Sequence, residues 1–334
     1  MKSPSIAQRG EGGVRGGSGE SDPLPFASPD AVACQQVRVS PRRRARSATG
    51  YHVWMTIPDS PDGLVADISR ARQQASPLAW PAGVPSDLPA GYAAALAVRA
   101  ARIASGERPA GYKVGFTNRT IWPRYGVYAP IWGTVWQGSL SRVGAAGPNA
   151  GVLSLAGLCE PRIEPEIVFG LRATPAPGCT LAQLADAIAW VAHGFEIVHT
   201  HFPGWKFSAA QAVADEGLHG RLLVGRPVEL PPGTAPDALA EALSGIRLEL
   251  YGDGTLKDQG TGANVLDGPL QALLHFVNEI RALPGAPGLQ AGDVVTTGTL
   301  TDAWPVSPGQ TWHTELAGSG PVAGQLAGLS VRFE

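Results

Sequence analysis

Cysteine is scarce in this chain: Cys34, Cys159 and Cys179 are its three examples among 334 residues. The odd count, with no spacing that fits a zinc module, argues against a disulfide scaffold and for a reducing cytosol. Charged residues make up only 16% and methionine occurs twice. No apolar run nears the ~20 residues that span a bilayer. The basic cluster Arg42-Arg43-Arg44-Ala45-Arg46 has no apolar stretch behind it, so it does not read as an export signal. The expected location is the cytoplasm, with no membrane partner. Also missing are a G-x-S-x-G elbow, a G-x-G-x-x-G turn after a strand and a Walker loop, which sets aside serine hydrolases, dehydrogenases and NTPases. Net charge is −2. Residues 1–54 hold eight Lys/Arg against four Asp/Glu, a balance of +4, and the rest hold 18 against 24, a balance of −6. A mildly acidic body gives no electrostatic case for binding nucleic acid.

What the chain has in quantity is glycine (43) and proline (30), beside 44% hydrophobic residues. That mixture predicts many turns and a strand-rich body with a sizeable core. Residues 1–50 are rich in Gly, Ser, Pro and Arg without hydrophobic period, and 1–54 read as a disordered or non-native extension, with Met55 a candidate start. A helical N-terminal portion follows over 55–110, with helices near 64–74 and 90–105, the second capped by Ser86 or Asp87. From Gly111 to residue 334 strands and turns prevail. Thr180-Leu181-Ala182-Gln183 forms a capping box for a helix whose stripe is Leu181, Leu184, Ala185, Ile188 and Val191, ending at Gly194. Another helix starts near Pro269, carrying Leu270, Leu273, Leu274, Val277 and Ile280, and short strands at 293–297, 311–316 and 329–333 close the chain.

The residues with chemistry to offer begin at Glu164-Pro165-Glu166, set between Ile163 and Ile167-Val168-Phe169. On a strand, Glu164 and Glu166 project to one face. Paired carboxylates in an apolar setting repel unless a cation or proton lies between them, and an oxygen-only donor set suits a hard divalent ion. The alternative is an edge strand with its glutamates in water and Pro165 guarding the edge. Glu196, in Phe195-Glu196-Ile197-Val198, opens a strand that could lie alongside and bring a third carboxylate. Lys113, amid Tyr112 and Val114, must reach the surface or find an anion. Trp122, Tyr125, Tyr128, Trp132 and Trp136 crowd one segment and either wall an apolar pocket, with Trp132 a candidate substrate contact, or fill core. Thr297 and Thr299 either bind a substrate carboxylate or cap a turn, and Asp215 either orients Lys113 or caps a loop. His199 and His201 fall on the strand face opposite Glu196 and are expected at the surface or an interface; His193, His219, His275 and His313 show no ligand spacing.

In order along the chain stand K-V-G-F-T (113–117), E-P-E (164–166), G-F-E-I-V (194–198), V-A-D (213–215) and G-D-V-V-T-T-G-T-L-T (292–301). Together they resemble the fumarylacetoacetate hydrolase superfamily, in its 2-keto-4-pentenoate hydratase and 4-oxalocrotonate decarboxylase branch. The resemblance covers about residues 60–334 and implies an α+β fold, a mixed β-roll with a small helical N-terminal portion, so that 111–334 is the metal-binding catalytic domain. It also implies Mg²⁺ or Mn²⁺ on Glu164, Glu166 and Glu196, with Lys113 and Asp215 as catalytic groups. The substrate is then a 2-oxo or 2-enol acid, hydrated as a 2-hydroxy-2,4-dienoate in aromatic catabolism. Decarboxylation of a 2-oxo-3-enedioate, C–C hydrolysis of an acylpyruvate and a non-catalytic partner subunit are the alternatives. A homo-oligomer, or a complex with a partner hydratase or decarboxylase, is expected. Two departures stand out: the family's I-V-D-S-R reads Ile197-Val198-His199-Thr200-His201 here, and V-A-D-N reads Val213-Ala214-Asp215-Glu216.

Overall fold

The computed structural model describes residues 61–78 and 85–334. The extension at 1–54 and the candidate start at Met55 lie outside the described residues. Strands run in chain order as β1 (Pro109–Gly115), β2 (Ile131–Trp136), β3 (Leu140–Arg142) and β4 (Ala150–Leu153). Next come β5 (Arg162–Leu171), β6 (Ile188–Val198), β7 (His219–Val224), β8 (Val228–Glu229), β9 (Arg247–Gly252) and β10 (Thr255–Thr261). The last are β11 (Val294–Thr299), β12 (Trp304–Pro305), β13 (Thr311–Ala317) and β14 (Ser330–Phe333). They form two mixed sheets. The larger is ordered β2-β1-β11-β5-β6-β7-β3, with β12 also on β5 and β8 on β6; the smaller is β10-β9-β13-β14-β4.

The main core lies between these sheets. Ile167, Phe169 and Phe195 come from the larger sheet and Leu250, Trp312 and Val331 from the smaller, with Leu273, Phe276 and Val277 closing over them. The last three belong to the helix Pro269–Ala282, whose apolar side falls where its period predicts. The N-terminal helices Pro61–Gln74 and Leu88–Ala104 make a lesser cluster through Leu64, Ile68, Ala94 and Val98, against Phe202 and Ala214. Asp87 caps the second helix by accepting from the Ala90 N–H at 2.9 Å.

One expectation changes, and one alternative is set aside. The helix opened by Thr180 covers only Leu181–Asp186, and Ile188 to Val198 is strand. Ile188 and Val191 are buried in β6, because apolar residues three apart fit a helical stripe and a two-sided buried strand equally well. The E-P-E segment is no edge strand: β5 lies between β11 and β6. Pro165 is tolerated there next to a register shift in β11 between Thr296 and Thr299, and its carbonyl accepts from Leu300 N–H at 2.9 Å.

Candidate metal centre and active-site cavity

Register brings the carboxylates together. Glu164 pairs directly across from Glu196, and Glu166 is two residues on along the same strand face. One carboxylate oxygen from each of Glu164, Glu166 and Glu196 lies within 4.8 Å of the other two. Lys113 arrives from further off. Between β1 and β6 lie β11 and β5, so three strand gaps of ~4.8 Å would separate them on a flat sheet. Its Nζ is nevertheless 3.4 Å from Glu196 Oε2, which requires the sheet to curl around the site. The curl is what makes four residues from distant parts of the chain one cluster.

The remaining hydrogen bonds fix the donors. Glu166 Oε2 accepts from the Gly298 N–H at 2.6 Å. Gly298 sits at φ +95° with a would-be Cβ 1.8 Å from Thr117 Oγ1, so only glycine permits that contact. Glu196 Oε1 accepts from His219 Nδ1–H at 2.8 Å, and His219 Nε2 is 2.8 Å from Ser139 Oγ. Glu166 Oε1 and Glu196 Oε2 are buried without a hydrogen-bond partner. Glu196 Oε2 has only the Lys113 ammonium at 3.4 Å and Glu166 Oε1 has no partner, so these buried oxygens, with Glu164 beside them, make a donor set for a hard cation. The residues present therefore fit a divalent ion.

The titration of the cluster supports that fit. Burial, opposed by Lys113 and reinforced by Glu196, pushes the Glu164 carboxyl up to about 7. Burial, then Glu196 and Glu164, raise Glu166 well above the carboxylate range. Glu196 is held low, because Lys113 and His219 outweigh its burial. Burial alone would lower Lys113, but Glu196, Glu164 and Glu166 overcome it and keep its pKa above the usual lysine value. The ammonium is thus a fixed charge and not a neutral proton acceptor.

A pH dependence with a definite sign follows. Glu164 titrates higher folded than unfolded, so its ionisation destabilises the metal-free fold; the penalty is absent below the unfolded value and full above about 7. A cation cancels it. The gain in Tm on adding Mg²⁺ is expected to grow from about pH 5 to about pH 8, measured by differential scanning fluorimetry. A gain independent of pH would mean that the carboxyls are not the ligands. In the same way His219→Ala, which releases Glu196 from its orienting partner, should weaken Mg²⁺ binding about 10–100-fold in a calorimetric titration.

Lys113 and Glu164 open from the cluster onto a cavity of ≈ 200 Å³ that Thr299, Arg162, Arg124 and Trp205 also line. Of the residues singled out from the sequence, Lys113, Tyr125, Glu164 and Thr299 line it, while Glu166 and Glu196 join Glu164 in the cluster without lining it. Three others are placed elsewhere. Trp132 is core, its ring 5.9 Å from Tyr112 and 6.3 Å from Phe276, while its neighbour Ile131 faces the cavity. Thr297 is fully buried and donates to the Ile167 carbonyl at 2.9 Å. Asp215 is bound to His201, with Oδ1 2.6 Å from its Nδ1, and does not line the cavity. His199 and His201 are buried and not at the surface, because β6 ends at Val198 and the alternation extended past it no longer applies.

Sequence reasoning missed the two arginines and Trp205. Arg162 stacks on Trp205 with its guanidinium carbon 4.1 Å from the ring centroid, and Arg124 lies over Tyr125 at 5.4 Å. The departure at Glu216 is accounted for by charge: Arg72 and Arg102 reach its Oε2 at 2.6 and 2.7 Å, and Trp136 Nε1–H donates to Oε1.

The fumarylacetoacetate hydrolase C-terminal family profile matches residues 142–327, over half the chain. The chain belongs to this family. It is 31% identical over 220 residues to a 2-hydroxyhexa-2,4-dienoate hydratase of Comamonas testosteroni, a match covering 66% of this chain and 78% of that one. A 2-keto-4-pentenoate hydratase of Burkholderia vietnamiensis is 30% identical, with 66% and 79% covered. A Pseudomonas 4-oxalocrotonate decarboxylase is 28% identical, with 68% and 82% covered. Among solved structures, a Pseudomonas putida 4-oxalocrotonate decarboxylase complexed with magnesium and adipate superposes with a TM-score of 0.69 at 24% identity, covering 81% of this chain and 96% of that one. The mixed-sheet α+β fold expected from the family resemblance is the one observed.

Proposed function

We propose that this chain is a divalent-metal-dependent lyase that hydrates a 2-hydroxy-2,4-dienoate, a step in the catabolism of aromatic compounds. The observation that carries the reading is the meeting of Glu164, Glu166 and Glu196 with protonated Lys113 beside a cavity that Lys113 and Glu164 line. A bound Mg²⁺ or Mn²⁺, held by the three glutamates, supplies Lewis-acid stabilisation of negative charge at the substrate's C2 oxygen. Lys113 supports the same charge from the protein side: a buried ammonium facing the cavity needs no reorganisation when an oxyanion forms beside it. Phe116, Trp205 and Phe207 give the cavity its apolar wall and shield the diene from bulk water, and Thr299 and Asn118 add uncharged hydrogen-bonding groups. His219 keeps Glu196 in orientation without touching substrate.

One observation favours a second reading. Arg124 and Arg162 share the cavity with Lys113, and two guanidinium groups suit a second carboxylate, as in a 2-oxo-3-enedioate undergoing decarboxylation. Purified protein with Mg²⁺ should consume 2-hydroxy-2,4-pentadienoate, followed by loss of diene absorbance, and stop on chelation. Release of CO₂ from 2-oxo-3-hexenedioate without diene consumption would move the assignment to the decarboxylase. Turnover that survives exhaustive chelation would contradict both.

A further inference from the structure

A second cluster of ligating side chains lies outside the carboxylate centre and shares no residue with it. Cys159, in the turn before β5, and His199 and His201, just after β6, each offer one ligand atom within 4.8 Å of the other two. All three are buried, His201 completely. The segments that carry them are tied together. Thr200 N–H donates to the Cys159 carbonyl at 3.2 Å, and Cys159 N–H donates to His199 Nδ1 at 3.3 Å, a bond that an ion taking that nitrogen's lone pair would replace. The two imidazoles meet edge to face with centroids 4.8 Å apart.

The second observation concerns His201. Its Nδ1 is 2.6 Å from Asp215 Oδ1, while Asp215 Oδ2 accepts from the His201 N–H at 2.9 Å and from Thr200 Oγ1–H at 3.2 Å. Every bond at Asp215 is one that a carboxylate accepts, so His201 Nδ1 donates and Nε2 is the ring nitrogen left to take a ligand. That Nε2 is buried and has no hydrogen-bond partner. Leaving a buried ring nitrogen without a partner is costly. A carboxylate holding the far side of the ring is also the usual means of orienting a metal-bound histidine.

We propose that Cys159, His199 and His201 form a second metal site, for a borderline transition ion of the Zn²⁺ class, with Asp215 orienting His201. One sulfur and two imidazole nitrogens in a dry setting discriminate against Mg²⁺, which takes oxygen ligands and holds its water. Tetrahedral zinc, with Zn–S ~2.3 Å and Zn–N ~2.1 Å, spaces its ligand atoms roughly 3.6 Å apart. The observed spread is compatible with that after small side-chain movements. The site's place in the fold gives it a structural role. Cys159 is five residues before Glu164 and His199 is three after Glu196, so an ion here pins the start of β5 to the end of β6. Those are the two strands whose register sets the three glutamates face to face. The histidines also stand where the family resemblance leads one to expect Asp and Arg, so the site belongs to this chain and not to its relatives in general.

The test uses the full chain, stripped of metal and held in excess Mg²⁺ to fill the carboxylate centre. Titration with Co²⁺ should give a thiolate-to-cobalt charge-transfer absorption in the near ultraviolet, displaced by a single equivalent of Zn²⁺. Cys159→Ser should abolish that absorption, and His201→Gln should abolish or strongly weaken it, while Glu166→Gln leaves it intact. Zinc-edge X-ray absorption of the wild-type protein loaded with one equivalent should show sulfur and imidazole scatterers, which covers the case in which a variant fails to fold. An oxygen-only zinc shell, or a cobalt spectrum unchanged by Cys159→Ser, would overturn the proposal.

Discussion

Glu166→Gln should reduce turnover about 10³-fold or more and at the same time raise the melting temperature of the metal-free protein. The two effects have one cause. Glu166 is fully buried beside two other carboxylates, and its pKa is driven up by burial and then by Glu196 and Glu164. A neutral amide of the same shape removes the repulsion, and its oxygen can still accept the Gly298 N–H. For a carboxyl displaced as far as Glu164, from the ordinary value to about 7, the relief is on the order of a few kcal/mol near neutral pH. A purely structural glutamate would behave in the opposite way: its removal would lower the melting temperature and spare activity in the folded fraction. Thermal melts with and without Mg²⁺, beside a steady-state assay, separate the two.

Lys113→Met should lower kcat by about 10²–10³-fold while Mg²⁺ binding is retained or tightened. The methionine fills similar volume but withdraws the positive charge 3.4 Å from Glu196 Oε2. Without it the glutamates repel one another more strongly, so the metal-free protein is destabilised and a divalent ion gains more by binding. The loss must appear in kcat, because the ammonium's main effect falls on charge that develops during reaction. If Lys113 were only a structural counter-ion, Mg²⁺-saturated Lys113→Met would turn over at close to the wild-type rate. Isothermal titration with Mg²⁺ and a kcat determination at saturating metal decide between these.

The carboxylate cluster was legible because its signal is local: two glutamates at strand spacing in an apolar run, and a third after one crossover. Neither the curl of the sheet nor the distance from Lys113 to Glu196 follows from those spacings. Lys113 was recognisable only as a buried charge in need of an anion. The misplacements share a cause. Trp132 stands next to the cavity residue Ile131 and a strand sends neighbours to opposite faces, while Thr297 and Thr299, two apart, are separated by the register shift in β11. Ile188 and Val191 satisfied both periods at once. His199 and His201 were assigned by an alternation that stops at Val198. Arg124, Arg162 and Trp205 reach the cavity from separate elements, and nothing local marks them as neighbours. His219 lacks ligand spacing because its partner is the carboxylate of Glu196, 23 residues away in sequence.

The most direct measurement is a crystal soaked with Mn²⁺ and diffracted at a wavelength where manganese scatters anomalously. The account requires an anomalous peak bonded to carboxylate oxygens of Glu164, Glu166 and Glu196 together. A fully loaded crystal with no peak among those three side chains, or with the ion held by other residues, would contradict it.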